Sequence, residues 1–288
     1  MYKFTNNIIK SILLLLLALG TSSCGRVSLS ITDAPIDSAE AVVIVFTGVD
    51  VQPVSGDIVR IEFPSPKSID LLTLVDGVTD SLLLDEAIPK DSYSGIELKI
   101  DIDASYVTVN GVDSPLRIPV DAMDGLTVSK DFEILTGTDN RFIIDFDLRT
   151  SLRDPEDGNS DYVLRPSLRM VDETLAGMIT GNVDASLLSS DADCFDNVGV
   201  VTAVVYVFNG HSVSADDIDS ISPDPVTTAR VNASLAYIVP FMEEGDYTLS
   251  ITCEAIDDDP STNNNIRFLR DANISIIANQ QTIQNFSL

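Results

Sequence analysis

The sequence predicts an all-β protein built as two tandem antiparallel β-sandwich domains behind an N-terminal export signal. Three observations predict it. Short apolar runs alternate with polar residues at the period of two that marks half-buried strands. Turn-forming clusters of Gly, Pro, Asn and Asp recur about every ten residues, the spacing of a sandwich. No long stretch repeats at the helical period of 3.6. A hydrophobic content of 44% supplies enough apolar side chains for packed cores, which excludes wholesale disorder.

The chain opens with Lys3 and Lys10, then Ser11-Ile12, five leucines from Leu13 to Leu17, Ala18-Leu19-Gly20 and Thr21-Ser22-Ser23-Cys24-Gly25. No acid appears before Asp33. A basic start, a short apolar run and small residues make an export signal. The apolar run is roughly half the ~20 residues that a membrane-spanning helix needs. The small residues end in cysteine rather than in Ala-x-Ala. That arrangement resembles a bacterial lipobox, with Thr21 where the family usually has Leu. The resemblance implies a lipoprotein signal peptide over residues 1–23 and a Cys24 that carries acyl chains such as palmitate. Gly25, rather than Asp, follows Cys24; by similarity to the sorting rule of enteric bacteria, this implies the outer membrane.

Seventeen basic and 45 acidic side chains give a net charge of −28, and losing residues 1–23 with their two lysines makes it −30. Nucleic acid is excluded as a partner, because phosphate backbones need clustered Lys and Arg. Electrostatic adhesion to anionic lipid is excluded as well. Membrane attachment is therefore expected through the lipid on Cys24. The chain holds three cysteines. With Cys24 consumed by lipid, Cys194 and Cys253 remain as an even pair in an oxidising compartment and are expected to form a disulfide.

From Val27 to Thr32 apolar and polar residues alternate as in a half-buried strand. Ala41 to Val51 is β-branched and nearly continuous, like a strand covered on both faces. Ile58 to Phe63 alternates until Pro64 and Pro66 interrupt it. Ser68 to Leu84, with Asp76-Gly77 inside it, fits short helical turns and strands equally. Tyr93 to Ile102 and Tyr106 to Val109 read as strands, and Asn110-Gly111 after them is the strongest short-range hairpin signal. Leu126–Leu135, Arg141–Leu148 and Tyr162–Met170 supply further strands, with a polar loop between Asp154 and Asp161. The boundary between the domains is placed at Val171–Ala176, so the domains span 24–172 and 177–288. In the second, strands are expected at Gly177–Val183, Val198–Phe208, Thr228–Tyr237, Asp246–Glu254, Arg267–Leu269, Asn273–Ile277 and Thr282–Phe286. Ile88 to Ile96 echoes Phe241 to Leu249: an apolar residue, a polar turn, then a Tyr (Tyr93, Tyr247) opening a strand. Such a tyrosine can bury its ring while its hydroxyl bonds the turn backbone.

Several separated motifs fall in one order: Ser30-Ile31-Thr32-Asp33-Ala34-Pro35, Leu71-Leu72-Thr73-Leu74, Ile144 to Arg149, Leu164 to Arg169, then Gly177 to Val183. Over Val27 to Asp172 this resembles an uncharacterised family of bacterial lipoprotein domains known only as a domain of unknown function. The remainder, with Val205 to Phe208, Gly245 to Thr248 and Thr252-Cys253-Glu254, is more loosely similar to transthyretin-like regulatory domains of carboxypeptidases. The resemblance implies an envelope lipoprotein of sandwich type and supplies no activity.

Two groups of side chains invite chemistry. Asp145, Asp147 and Arg149 alternate, so on one strand they share a face opposite Phe146 and Leu148, with Asp33 and Asp37 in a turn nearby. A carboxylate pair serves as general acid and base, or as metal ligands, unless Arg149 with Arg165 or Arg169 merely neutralises it. Asp191, Asp193 and Asp196 flank Cys194, and Asp257, Asp258 and Asp259 follow Cys253. A Cys194–Cys253 bridge would draw these acidic loops together, and oxygen-only ligands suit Ca²⁺, although no EF-hand loop is present. His211 is the single histidine and sits in a turn. No Gly-x-Ser-x-Gly elbow or P-loop occurs. The leading expectation is a lipid-anchored, non-enzymatic binding or structural module of the cell envelope that holds no cofactor unless Ca²⁺ and meets an envelope protein or surface ligand. The alternatives are an envelope hydrolase using Asp145 and Asp147, or a glycan-binding module. The latter lacks its best stacking platform, since the chain has no Trp.

Overall fold

The computed structural model describes residues 23–34, 36, 38–155 and 160–288. The export segment (1–22), Pro35, Asp37 and the centre of the predicted polar loop (156–159) lie outside the described residues. The first strands are β1 (Cys24–Ala34), β2 (Ala41–Pro53), β3 (Val59–Asp70), β4 (Asp80–Pro89) and β5 (Asp91–Val109). Then come β6 (Val112–Arg117), β7 (Thr127–Ile134), β8 (Asn140–Asp147), the single helical turn α1 (Leu148–Ser151), β9 (Leu152–Arg153), β10 (Tyr162–Leu164) and β11 (Leu168–Asp172). One sheet runs β11-β8-β1-β4; the other runs β3-β2-β5-β6-β10-β9, with β7 also on β5. Alternate residues of β1 (Val27, Leu29, Ile31) and of β2 (Val42, Ile44, Phe46) meet in one core between the sheets. Val43 and Val45, on the other face of β2, are buried too. The unbroken β-branched run therefore reports a strand covered on both sides.

Residues 177–288 form β12 (Gly177–Asn182), α2 (Ala185–Leu188), β13 (Val204–Asn209), β14 (Thr227–Arg230), β15 (Ala236–Met242), β16 (Gly245–Thr252), β17 (Phe268–Ile276) and β18 (Gln281–Ile283). Their sheets run β15-β12-β18 and β14-β13-β16-β17. Ile179 and Val239 of the first meet Val205, Leu249 and Ile251 of the second in a core of their own. Gly181 is fixed by crowding: a Cβ there would collide with the Gln284 carbonyl oxygen and lie 2.6 Å from the Tyr237 ring.

The all-β class holds, but the sheets are not purely antiparallel. β1–β8, β6–β10 and β12–β18 pair in parallel. β1 already has β4 antiparallel on one side, and the chain reaches its other side only after crossing through the opposite sheet. Pro64 and Pro66 do not end β3, because β3 is an edge strand where a missing N–H costs no ladder bond. Lys67 of β3 donates to the Ser81 and Leu82 carbonyls at 2.7 and 3.0 Å, tying this edge to β4 of the other sheet. The ambiguous stretch resolves into a 3₁₀ turn at Leu71–Thr73 and the start of β4. Asn110 and Gly111 take φ of 52° and 71°, as a tight hairpin requires. The predicted strand from Val198 begins only at Val204. Asp196 instead accepts from the Val198 and Val200 amides at 2.9 and 2.7 Å and folds that stretch into a turn. The echoed tyrosines behave alike: the Tyr93 hydroxyl donates to Pro89 O at 2.7 Å and the Tyr247 hydroxyl to Glu243 O at 3.1 Å.

Candidate functional site

β8 turns Ile144 and Phe146 into the first core, so Asp145 and Asp147 face the other way, toward residues 177–288. Arg149 does not continue that strand, contrary to the expected alternation. The chain winds into α1 because Asp147 caps it, accepting from the Thr150 amide and hydroxyl at 3.0 Å each. Arg149 thereby reaches across the seam and donates to Ala255 O at 2.9 Å. Arg169, the register partner of Asp145 on β11, grips Asp145 Oδ2 through Nε and Nη2 at 2.8 Å each. Its Nη1 donates to Phe241 O at 2.7 Å. Arg165 pairs with exposed Asp121 instead. Asp33, at the end of β1, accepts from the Leu148 amide at 3.1 Å.

All four of Asp33, Asp145, Asp147 and Arg149 are buried. Burial, reinforced by the charges of Asp145 and Asp147, pushes the Asp33 carboxyl well above its ordinary range, although the Leu148 amide opposes the shift. Burial, then the Asp145 charge, pushes Asp147 up to about 6. A groove of about 490 Å³ runs along the seam and is lined by Asp147, Ser167, Arg169, Asp224, Glu243 and Tyr247 among others. Both oxygens of Asp147 serve the helix cap, and one of Asp145 serves Arg169. This pair holds backbone and guanidinium in place rather than presenting an acid and a base to a ligand. The partners from the C-terminal half (Ala255, Phe241 and Thr227, whose hydroxyl lies 3.4 Å from Asp145 Oδ2) carry no local sequence signal and become visible only in the fold.

Cys194 and Cys253 form the expected disulfide. It does not gather the six acids expected to hold Ca²⁺. Arg267 binds Asp191, Asp193 Oδ2 at 2.9 Å and Glu254 Oε1 at 2.6 Å, and its hydrogen bond holds the Asp191 carboxyl below the usual range. Asp196 is engaged in its turn. Asp258 faces another direction, accepting from the Tyr206 hydroxyl at 2.7 Å and the Ile218 amide at 3.1 Å. Asp259 caps a turn by accepting from Ser261 N at 2.8 Å, and Asp257 donates its amide to Glu254 O at 3.0 Å. Among the described residues no group of three or more His, Cys, Asp or Glu side chains is arranged to hold a metal ion. Arg267 supplies the positive charge beside these acids. It lies thirteen residues beyond Glu254, a spacing that joins the two only once β16 and β17 have paired.

Cys24 is exposed, stands outside the disulfide and opens β1. The strand is paired from that residue onward, Cys24 against Pro89, and the preceding carbonyl of Ser23 accepts from Lys90 N at 2.8 Å. His211 Nε2 lies 2.9 Å from Ile274 O and 3.5 Å from Asp246, at the surface.

Comparison with known proteins bears on the first half of the chain. Residues 24–166 match the family described as a domain of unknown function (DUF4382). The DUF4382 match spans β1 to β10 and stops just short of β11, the strand that completes the first sheet. No curated protein matches the sequence. Among solved structures, the chain is similar to the Bacillus anthracis TIE protein at 12% identity and TM-score 0.21, over 91% of this chain and 34% of that one. It therefore spans about a third of that protein's length. It is also similar to GBS52, the minor pilin of Streptococcus agalactiae, at 8% identity and TM-score 0.21 over 90% and 94% of the two chains. The streptococcal ancillary pilin gives 10% identity and TM-score 0.22 over 90% and 67%. Among the described residues no helix is long and apolar enough to cross a membrane.

Proposed function

We propose that this protein is a lipid-anchored component of the bacterial cell envelope, held at the outer membrane by acyl chains on Cys24. Its two β-sandwich units, residues 24–172 and a transthyretin-like 177–288, act as a non-enzymatic binding or structural module that meets an envelope protein or surface ligand. The observation that carries the reading is Cys24 itself, exposed at the first position of β1 and separated from a short apolar segment only by small residues. A disulfide in the second unit suits an oxidising compartment. The commitment of Asp145 and Asp147 to Arg169 and to the α1 cap supports a module over a hydrolase. Fractionation of cells tests the reading. The wild-type protein should sediment with outer membranes and a Cys24→Ala variant should not. Identical distribution of the two would overturn it.

A further inference from the structure

Three oxygen atoms at the seam stand apart from the bonds described above. Asp33 Oδ2, Asp145 Oδ1 and Thr228 Oγ1 are buried, and none makes a hydrogen bond among the described residues. The three residues are only 6%, 3% and 4% exposed, and all of them line one small cavity of about 10 Å³. Thr227, Ile238 and Pro240 belong to the same wall. Asp33 comes from β1, Asp145 from β8 and Thr228 from β14, so the cavity is shared by both halves of the chain.

We propose that this cavity is a built site for one structural water molecule, which pins the two halves together. The hydrogen-bond count closes. Water gives a proton to an ionised carboxylate oxygen or accepts one from a protonated carboxyl, so Asp33 Oδ2 and Asp145 Oδ1 each make one bond with it in either state. The Thr228 hydroxyl keeps a proton to donate back to the water oxygen. Buried waters typically make about three such bonds to groups otherwise left unsatisfied, and a cavity near 10–15 Å³ holds one. A divalent cation fits less well. Ca²⁺ takes about six to eight oxygens, whereas the cavity offers these three buried oxygens beside the exposed Asp76 carboxylate. No metal-holding group of acids is arranged there among the described residues, and the Arg169 guanidinium already sits 2.8 Å from the second oxygen of Asp145. The water joins two strands of the first sheet to a strand of the C-terminal half. It adds to the direct ties from Arg149 to Ala255 and from Arg169 to Phe241.

A high-resolution crystal structure of the protein, grown once with CaCl₂ and once with EDTA, tests this. The expected result is one peak within about 2.7–3.2 Å of all three oxygens, the same in both crystals. Side chains closed on one another with no peak would overturn the proposal. So would a peak that appears only with Ca²⁺ and gathers ligands near 2.4 Å. The near-isosteric Thr228→Val variant supplies an independent readout. It should lose the peak and melt about 3–8 °C lower, as a buried polar network robbed of one partner does; an unchanged melting temperature would contradict the water's role.

Discussion

Asp147→Asn isolates the electrostatics of the seam. Asp147 is buried and its carboxyl titrates near 6, against 3.8 for an unburied aspartate. A shift of that size corresponds to ~3 kcal/mol, from about 1.4 kcal/mol for each unit. The sign follows from proton binding, because the folded state holds this proton more tightly than the unfolded chain does. Below about pH 3.8 both states are protonated and the group has no effect. Between about 3.8 and 6 the unfolded state ionises first, so stability falls as pH rises, and above 6 the full loss persists. Asparagine keeps the side-chain oxygen that accepts from Thr150 N and removes the charge. Urea unfolding of wild type and Asp147→Asn should therefore be compared from pH 4 to pH 8. The variant should be the more stable at pH 7, by up to ~3 kcal/mol, and its advantage should shrink toward pH 4. Subtraction cancels groups remote from Asp147, such as Asp191, whose depressed carboxyl acts in the opposite sense. A pH-independent difference, or a variant less stable throughout, would refute the reasoning.

Three further outcomes follow from the packing. Removing the disulfide with Cys194→Ser and Cys253→Ser opens a loop of 59 residues and should cost about 4 kcal/mol on the chain-entropy estimate, measured by denaturation with and without reductant. Gly181→Ala places a methyl against the Gln284 carbonyl and Tyr237; it should destabilise by roughly 3 kcal/mol or more, and a wild-type melting temperature would contradict the strand packing. Tyr93→Phe and Tyr247→Phe each delete one hydroxyl bond to the turn before the ring and should each cost about 1 kcal/mol by urea titration.

The strands that alternate cleanly were readable in advance. Val27, Leu29 and Ile31 needed only a period of two, and Asn110-Gly111 needed only its backbone preference. The even pairing of Cys194 with Cys253 followed from setting Cys24 aside. Longer-range choices were not readable. Asp147 is a residue type that caps helices, but a cap contributes only about 1 kcal/mol, so the alternating pattern around it does not tell that its carboxylate will start a helical turn and swing Arg149 out of the strand. Parallel pairing of β1 with β8 depends on more than a hundred intervening residues. The acids around the disulfide were visible as a cluster, whereas the identity of their neutraliser depended on the register between β16 and β17. The cavity at Asp33, Asp145 and Thr228 draws on three distant strands and has no sequence signature.

How the chain is held is tested most directly by the intact mass of the protein purified from envelopes. The account predicts a chain beginning at Cys24 and heavier than its sequence by a set of acyl groups, which gains two hydrogens on reduction as Cys194 and Cys253 open. A chain that begins at another residue, or one that begins at Cys24 with no added acyl mass, would contradict it.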